Sequence, residues 1–267
     1  MSTPTTTPFD PPVLLSQARS LVAEHEADAD RYMLGLADDG APAWWRPSID
    51  GPMEFVAGTG AGGTTALRAL ALQAVWESLA SVDVLDSKGT CWRDLDSEVL
   101  RDHGLSVHTP VRDGLEAMAD VIADAAHDVR ARRCDAHGAW DSADRLILVD
   151  DLATLDLLAR READRDDWVR EDLAEILRDG APIGVHLVTR SPRGSGQVLP
   201  GPGPDRRALA LARVSAGVLK DVPGRISSQD VPGGGSDRPA GRWLICQGQS
   251  RTTVRVPAAL VGADPFP

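Results

Sequence analysis

The sequence feature that most constrains the fold is a glycine-rich stretch between a short apolar run and a long apolar segment. The run covers residues 53–57, and residues 64–80 carry apolar side chains around most of a helix circumference. The stretch itself consists of Gly58, Thr59, Gly60, Ala61, Gly62, Gly63, Thr64 and Thr65. A strand, a glycine-rich turn and a buried helix in this order predict a phosphate loop, whose backbone N–H groups surround phosphate oxygens. Tight strand–helix packing is the alternative explanation of the glycines.

The residue types within this loop predict a site that lacks one positive charge. In a phosphate loop the glycines permit the tight path, a lysine contacts the phosphates, and a serine or threonine binds Mg²⁺. Thr64 stands at the hydroxyl position and is the predicted magnesium ligand, whereas Gly63 occupies the lysine position. Loss of such a charge-assisted contact costs about 1.5–3 kcal/mol of binding. The rate of hydrolysis is expected to suffer more, because the lysine stabilises charge that develops in the transition state.

Two adjacent carboxylates follow a second apolar run and supply the other half of a hydrolytic site. Residues 146–149 are continuously apolar, as expected for a central parallel strand covered on both faces, and Asp150 and Asp151 come directly after them. Ligands meet a parallel sheet at this end of its strands. Asp150 is predicted to hold Mg²⁺, commonly through water, and Asp151 to orient or deprotonate an attacking water. Alternatively, the two aspartates only end the strand or cap the next helix.

Segments with strand and helix periodicity alternate along most of the chain. Strands are predicted at residues 81–86, 106–108, 183–188 and 208–214, and helices at residues 111–133 and 168–178. Residues 243–246 and 253–256 are typical of a terminal hairpin. This order of elements predicts an α/β fold with a mostly parallel central sheet, helices on both of its faces and a C-terminal β-hairpin.

Composition and periodicity divide the chain into a core domain and shorter flanking segments. Residues 1–11 are rich in threonine and proline and are predicted to be a disordered tail. Residues 12–50 are predicted to be an N-terminal helical segment that packs on the core, because apolar residues up to Leu36 recur at helical spacing. A partner-binding surface is the alternative for this segment. The nucleotide-binding domain is predicted at residues 51–260, with a second tail at residues 261–267.

The overall composition restricts the compartment and the partners. A net charge of −12 gives no bulk attraction to nucleic acid, although a local basic surface or a pore formed on assembly could still bind DNA. No apolar stretch is long enough for a transmembrane helix, and the N-terminus lacks the pattern of a secretory signal. The 3 scattered cysteines do not suggest disulfides. The sequence therefore predicts a cytoplasmic location without stable membrane insertion.

Taken together, these motifs resemble those of the FtsK/SpoIIIE/HerA family of hexameric translocating ATPases, which includes conjugative-transfer proteins and type VII secretion motors. The family's phosphate loop, roughly GATGSGKS, is similar to residues 57–64, and its D-P-K-G is similar to residues 86–89. Its D-E-L-A-D-L is similar to residues 150–155. Its G-I-H-L and T-Q-R-P are similar to residues 184–187 and 189–192. The matches occur in the family's order and extend over most of the chain.

The resemblance implies a RecA-like P-loop NTPase that binds ATP and Mg²⁺ and works as a homo-oligomer, or as a hetero-oligomer with a related motor subunit. It also implies ATP-driven translocation of DNA or, in the secretion branch, of protein. An accessory role in plasmid or mobile-element DNA transfer belongs to the same expectation. Gly63 favours a function of another class, in which the chain is a catalytically inactive regulatory or structural partner of an active motor. ATP binding is then weak, and hydrolysis is low or absent.

The chain also departs from the family's pattern outside the phosphate loop. Asp151 replaces a glutamate and is shorter by one methylene, and Arg190 and Ser191 replace a Gln-Arg pair. The resemblance places Arg190 close to the γ-phosphate and makes it the third predicted catalytic residue, beside Asp150 and Asp151. The candidates for the charge of the missing lysine are Arg190, Lys88 and Arg68. The resemblance places the strand before Lys88 three positions from the phosphate loop, about 14 Å away, which favours a contact with a neighbouring subunit for this lysine.

Overall fold

The structure is a computed structural model that describes residues 31–37, 39–56, 62–76, 80–134, 144–161, 166–191, 215–216, 242–247 and 250–255. Within these residues the strands in chain order are β1 (Tyr32–Ala37), β2 (Pro42–Trp45), β3 (Met53–Val56), β4 (Ala80–Asp86), β5 (Leu105–His108), β6 (Asp144–Asp150), β7 (Val185–Ser191), β8 (Ser215–Ala216), β9 (Arg242–Gln247) and β10 (Ser250–Arg255). The α-helices are α1 (Pro47–Asp50), α2 (Gly63–Trp76), α3 (Glu98–Asp102), α4 (Gly114–Cys134), α5 (Leu152–Arg161) and α6 (Asp166–Glu175). A π-helical turn (Ile176–Gly180) and a 3-10 turn (Ala181–Ile183) lead from α6 to β7.

The strands β3 to β8 form one parallel sheet in the order β5-β4-β6-β7-β3-β8. Its central strands are strongly apolar, and the consecutive residues Leu146, Ile147, Leu148 and Val149 of β6 are each 0% exposed. A strand is apolar on both sides where both faces of the sheet are covered. The predicted parallel sheet is therefore confirmed, and β4 lies three places from β3, as the resemblance implied.

Helices cover both faces of this sheet and divide its apolar residues into two clusters. One cluster joins Leu67 of α2 to Leu148 of β6 and Val188 of β7. The other joins Ile122 of α4 to Ile147 of β6 and to the next apolar residues of β7. Successive strand residues point to opposite faces, so the even-numbered residues of β6 and β7 lie on the α2 face. The predicted helices on both faces are confirmed.

A second, antiparallel sheet joins the two ends of the described chain in the order β2-β1-β10-β9. β9 and β10 pair along their whole lengths, from Arg255↔Arg242 to Ser250↔Gln247, which confirms the predicted C-terminal hairpin. The hairpin is not isolated, because β10 also pairs with β1 at Leu36↔Arg255. The N-terminal and C-terminal segments therefore belong to the same layer.

The helical prediction for the N-terminal segment is wrong over residues 32–37 and 42–45, although α1 forms at residues 47–50. Residues 32–37 and 42–45 are strands, and Tyr32 and Met33 are 2% and 1% exposed. Apolar residues at positions 32, 33 and 36 satisfy the helical period, but they equally fit a short strand covered on both faces. The partner of Leu36 in β10 lies 219 positions later, at Arg255, so local periodicity does not reveal the pairing.

Other sequence predictions meet the structure only in part. Periodicity does not predict the short helix α3 or the helix α5, which begins directly after the two aspartates. The strand predicted at residues 208–214 lies outside the described residues, as do residues 12–30. The domain limits at residues 12–50 and 51–260 stay predictions.

One buried amide ties the small sheet to α2. Gln73 is 5% exposed in the largely apolar second half of α2. Its Oε1 accepts a hydrogen bond from the Met33 N–H at 2.8 Å, and its Nε2 donates one to the Met33 carbonyl at 3.0 Å. The pairing that the structure describes between β10 and β1 covers Leu36 and Ala37. At Met33 the edge of β1 is therefore completed by a side chain, because buried backbone groups require partners.

Gln73→Leu is expected to lower the free energy of unfolding by about 2–4 kcal/mol, since each buried backbone group of Met33 that loses its partner costs about 1–3 kcal/mol. Urea unfolding followed by tryptophan fluorescence measures the change. Asp120→Leu, at an exposed position of α4, is the matched control and is expected to stay within about 0.5 kcal/mol of the wild type. Equal stability of the two variants would contradict the role assigned to Gln73.

Candidate functional site

The carboxyl ends of the central strands carry a row of polar residues in register. Asp86 on β4 is paired with Asp150 on β6, and Asp150 is paired with Arg190 on β7. Arg190 in turn lies beside Phe55 of β3, one residue before that strand ends. Neighbouring residues in a parallel sheet point to the same face, which for β6 and β7 is the face covered by α2. The row therefore lies beside the helix that follows the glycine-rich stretch.

Asp150 is completely buried, with 0% exposure, and both of its carboxylate oxygens have donors. Its Oδ1 accepts a hydrogen bond from Arg190 Nη1 at 3.2 Å, and its Oδ2 accepts one from Trp92 Nε1 at 3.1 Å. A buried carboxylate requires such partners, because desolvation of an unpaired charge costs several kcal/mol. The sequence predicts Arg190 beside a phosphate, and the structure places it on the carboxylate predicted to hold the metal.

Asp151 is 2% exposed and also lies between cations. Its Oδ2 is 3.2 Å from Lys88 Nζ and 3.6 Å from Arg190 Nη1. Its Oδ1 accepts a hydrogen bond from the Ala153 N–H at 3.0 Å, in the first turn of α5. The alternative in which an aspartate caps the next helix is thus realised by Asp151. One of its oxygens is held by the helix and the other by two cations.

The turn after β4, residues 86–92, carries Lys88 and Trp92 to the two aspartates. Asp86 is 0% exposed and organises this turn from inside. Its carboxylate accepts a hydrogen bond from the Cys91 N–H at 2.8 Å and one from the Lys88 N–H at 3.2 Å. Residues 86–89 of this turn are the ones that resemble the family's D-P-K-G pattern. No pattern in the sequence predicts the contact of Trp92 with Asp150.

The electrostatic state of Asp86 reflects this environment. Burial raises the pKa of the Asp86 carboxyl above its ordinary value, the hydrogen bond from Cys91 opposes that effect, and the nearby Asp150 charge raises the pKa further.

Ser87 connects the turn to the end of β6. Its N–H donates to the Asp150 carbonyl at 2.8 Å, and its Oγ donates to the Asp151 carbonyl at 3.0 Å. The turn and the two aspartates therefore form one connected unit.

The structure places α2 where a phosphate loop requires a helix. α2 begins at Gly63, and the Ala66 N–H donates to the Gly62 carbonyl at 2.9 Å. Gly62 has a φ of +89°, a conformation that side chains disfavour. Thr64 and Thr65 are half-buried in the first turn. Residues 58–61 lie outside the described residues, so the nucleotide contacts assigned to Gly58, Thr59, Gly60 and Ala61 stay predictions.

Two of the three cations offered in place of the missing lysine have partners away from the loop. Arg68 on α2 pairs with Asp94 and donates to the Cys91 carbonyl at 3.3 Å. Lys88 pairs with Asp151 of its own chain, whereas the sequence favours a contact with a neighbouring subunit. Arg190 is the candidate on the strand next to β3, where it is in register with Phe55, three residues before Gly58 along the chain.

The described side chains do not fit a magnesium site of the predicted kind. Both oxygens of Asp150 are occupied by Arg190 and Trp92. Within the described ranges, no three histidine, cysteine, aspartate or glutamate side chains are grouped as metal ligands. Mg²⁺ requires near-octahedral oxygen ligands, and a divalent cation on Asp150 would have to displace a guanidinium. The arrangement therefore does not fit direct coordination of Mg²⁺ by Asp150, and the assignment of Thr64 as a metal ligand stays a prediction.

No family model matches this sequence. Among solved structures, one described as an ATPase is 16% identical with a TM-score of 0.67, over 95% of this chain and 97% of that chain. The pCW3 conjugation coupling protein TcpA, in a monomer form with ATPγS, is 13% identical with a TM-score of 0.65, over 96% of this chain and 71% of that chain. The type VII secretion ATPase EccC of Thermomonospora curvata is 17% identical with a TM-score of 0.63, over 93% of this chain and 32% of that chain.

These similarities establish the fold. The chain has a RecA-like α/β fold of the P-loop ATPase type, in which helices flank a parallel sheet. It spans about a third of the EccC chain. Over the ranges that the structure describes, no helix combines the length and the apolar character needed to cross a membrane.

Arg190→Gln is expected to lower the free energy of unfolding by about 3–5 kcal/mol, because it leaves the buried Asp150 charge without its cation. The double variant Arg190→Gln/Asp150→Asn removes both charges and is expected to recover at least half of that loss, a coupling typical of residues in contact. Urea unfolding of the wild type, the two single variants and the double variant measures the coupling. Strictly additive effects would contradict a stabilising ion pair.

The raised pKa of Asp86 predicts a pH dependence with a defined sign. An aspartate whose folded pKa lies above its unfolded value of 3.8 lowers stability where it is ionised, and this penalty disappears as the pH falls through the folded pKa. The difference between the melting temperature of the wild type and that of Asp86→Asn is therefore expected to change in favour of the wild type as the pH is lowered from about 7 to about 4. Thermal unfolding followed by circular dichroism measures the difference. A difference that does not change with pH would contradict the raised pKa of Asp86.

Proposed function

We propose that this chain is a nucleotide-binding module of a secretion or conjugation motor and that its own ATP hydrolysis is impaired. The observation that carries the proposal is the capture of both aspartates by cations of the same chain, Arg190 on Asp150 and Lys88 on Asp151. Gly63, in place of the phosphate-loop lysine, acts in the same direction because it removes charge from the phosphate side. The module serves as a structural or regulatory partner of an active motor subunit.

Hydrolysis at such a site requires a carboxylate that can orient or deprotonate a water. Asp151 has the position for this role, but it is 2% exposed, and its oxygens are held by the Ala153 N–H and by Lys88 Nζ. A carboxylate held in this way is not free to orient or deprotonate a water, because both of its oxygens are already engaged by the protein. Direct binding of Mg²⁺ by Asp150 is opposed in the same way, because Arg190 and Trp92 donate to its two oxygens.

Nucleotide binding is proposed from a different set of groups. The Gly62–Gly63 turn and the N-terminus of the 14-residue helix α2 provide backbone N–H groups and the positive end of a helix dipole, both of which favour an anion. The fold is that of ATPases, and the similar TcpA structure is a form with ATPγS. Without the lysine contact, binding is expected to be about 10- to 100-fold weaker than at a complete phosphate loop.

A module that binds without hydrolysis acts through its neighbours. EccC, to which the chain is similar over 32% of that chain's length, is a longer type VII secretion ATPase. We therefore propose a cytoplasmic assembly with copies of this chain or with a related motor subunit, in plasmid or mobile-element DNA transfer or in protein secretion. If the cargo is DNA, we expect it to contact the assembled partner or a local basic surface, because the net charge of this chain is −12.

An active ATPase is the second candidate, and the placement of Asp150 and Asp151 favours it. Both stand at the tip of a central parallel strand beside α2, the position at which parallel sheets of this kind bind ligands. For hydrolysis at this site, the contacts of Lys88 and Arg190 with the aspartates would have to open on nucleotide binding or on assembly. The two candidates therefore differ in whether the ion pairs persist when nucleotide is bound.

Purified protein is expected to hydrolyse ATP no faster than about 0.01 s⁻¹, against about 1 s⁻¹ or more for enzymes of ordinary rate. A coupled assay of ADP release at millimolar ATP and Mg²⁺, with and without DNA, measures the turnover. Asp151→Asn is the matched control and is expected to leave this residual rate unchanged. Gly63→Lys, which restores the lysine, is expected to tighten ATP binding while turnover stays low, because Lys88 still holds Asp151.

Turnover of several molecules per second by the wild type, abolished in Asp151→Asn, would overturn the proposal in favour of the active ATPase. Restoration of turnover by Gly63→Lys alone would show that the ion pairs are not what prevents hydrolysis. A gain that requires Gly63→Lys together with Lys88→Gln and Arg190→Gln would support the proposal, because those substitutions release both carboxylates.

A further inference from the structure

We infer that Arg190 is the phosphate-binding cation of this site and that the site binds phosphate groups without Mg²⁺. This rests on the nucleotide binding proposed above and deepens it, since it assigns the charge that replaces the lysine and removes the metal. It depends on an unpaired donor of Arg190, on the position of that residue in the sheet, and on the balance of charge around the two aspartates.

Arg190 has one donor for which the described residues supply no acceptor. Its Nη1 lies 3.2 Å from Asp150 Oδ1 and 3.6 Å from Asp151 Oδ2. Its Nε is buried and has no hydrogen-bond partner, and the residue as a whole is 6% exposed. A buried N–H without an acceptor costs about 1–3 kcal/mol, and more for a charged group. An anionic oxygen beside the guanidinium would remove that cost.

The guanidinium stands on the side of the sheet where a phosphate would enter. Arg190 lies on the α2 face in register with Phe55, and β3 ends one residue later, immediately before the glycine-rich stretch. α2 begins at Gly63, and the N–H groups in the first turn of a helix have no partner within the helix. A phosphate at this helix N-terminus would therefore meet backbone N–H groups from α2 and a guanidinium from β7. The planar fork of an arginine suits phosphate oxygens particularly well.

The other two cations near the site are excluded by their own contacts. Arg68 pairs with Asp94 and donates to the Cys91 carbonyl, and Lys88 lies on the turn after β4, three strands from β3. Lys88 Nζ lies 3.2 Å from the Asp151 oxygen that is also 3.6 Å from Arg190 Nη1, so its ammonium group is engaged on the carboxylate side of the site. Arg190, on the strand next to β3, is the cation whose position matches the missing lysine.

The charges around the aspartates leave no free carboxylate for a divalent cation. Asp150 and Asp151 carry two negative charges, and Arg190 and Lys88 carry two positive charges at 3.2 Å from them. A Mg²⁺ ion on Asp150 would lie within about 4 Å of a guanidinium, which is unfavourable in a site shielded from water. In a lysine-containing loop the metal and the lysine share the phosphate charge. In this chain the Arg190 guanidinium and the N-terminus of α2 stabilise the negative charge of the phosphate groups.

Isothermal titration calorimetry of the full chain with ADP and with ATP, in Mg²⁺ and in excess EDTA, tests the inference. The dissociation constants in the two conditions are expected to agree within about threefold. Arg190→Gln/Asp150→Asn, which removes both members of the ion pair and so preserves the neutrality of the core, is expected to weaken binding at least tenfold, about 1.4 kcal/mol. Arg190→Lys, which keeps the charge without the fork, is expected to weaken it less.

Two variants serve as controls. Arg160→Gln removes one positive charge from an exposed position of α5, where the arginine pairs with Asp156 at 2.9 Å, and is expected to leave the dissociation constant unchanged. Asp150→Asn alone, at the partner of Arg190, is expected to change binding by the same factor in Mg²⁺ as in EDTA, because no metal is bound there. A loss of binding in Asp150→Asn that occurs only with Mg²⁺ would identify Asp150 as a metal ligand and overturn the inference.

The remaining outcomes separate the inference from the function on which it rests. Binding at least tenfold tighter in Mg²⁺ than in EDTA would overturn metal-free binding and leave the proposed nucleotide module intact. Binding that is independent of EDTA but unaffected in the Arg190 variants would overturn the role of Arg190. Absence of binding of both nucleotides at millimolar concentration, in both conditions, would overturn the nucleotide module itself.

Discussion

The buried ion pair between Arg190 and Asp150 is the interaction on which the arrangement of the site depends. It joins the carboxyl ends of β7 and β6 at the centre of the sheet, and Asp150 has 0% exposure. Since a charge in that position cannot remain unpaired without a cost of several kcal/mol, the donors around it are fixed as well. Trp92 completes the Asp150 carboxylate and thereby holds the turn that carries Lys88 to the second aspartate. The strand tips, the turn after β4 and the start of α5 are thus held by one set of charges.

In the function proposed above, the residues predicted to be hydrolytic stand at the ends of the central strands, and their charges are distributed differently from those of a complete site. Gly63 removes a cation from the phosphate side, whereas Arg190 and Lys88 place cations on the carboxylate side. Stabilisation of a transition state depends on where preorganised charge stands relative to the reacting atoms, not on its total amount. The same fold can therefore retain an anion-binding helix N-terminus at α2 while the two aspartates become structural. The solved ATPase structures are similar to this chain at 13–17% identity, and that similarity concerns the fold and not the chemistry of the site.

The strands around the site were predictable because each has a local signature. Residues 146–149 are apolar without interruption, and the strands on either side show short apolar runs between helices, so the parallel sheet follows from alternation. β1 was not predictable, since its buried residues fit a helical period and its partner Arg255 lies 219 positions from Leu36. Gln73 shows the same limit, because a glutamine in an apolar helix does not indicate that it completes a strand at Met33.

The sequence by itself determined the alternation of strands and helices that builds the parallel sheet, and the position of Asp150 and Asp151 at the end of a covered strand. It also determined that Gly63 stands where the resemblance expects a phosphate-loop lysine. Only the tertiary structure decided which groups those aspartates meet. Arg190 and Trp92 are 40 and 58 residues from Asp150 along the chain, and they reach it because the strand order and register bring the ends of β4, β6 and β7 together. Local periodicity specifies which element forms, whereas the contacts of a charge depend on distances between elements. Those distances are fixed only when the sheet is assembled and its buried charges are paired.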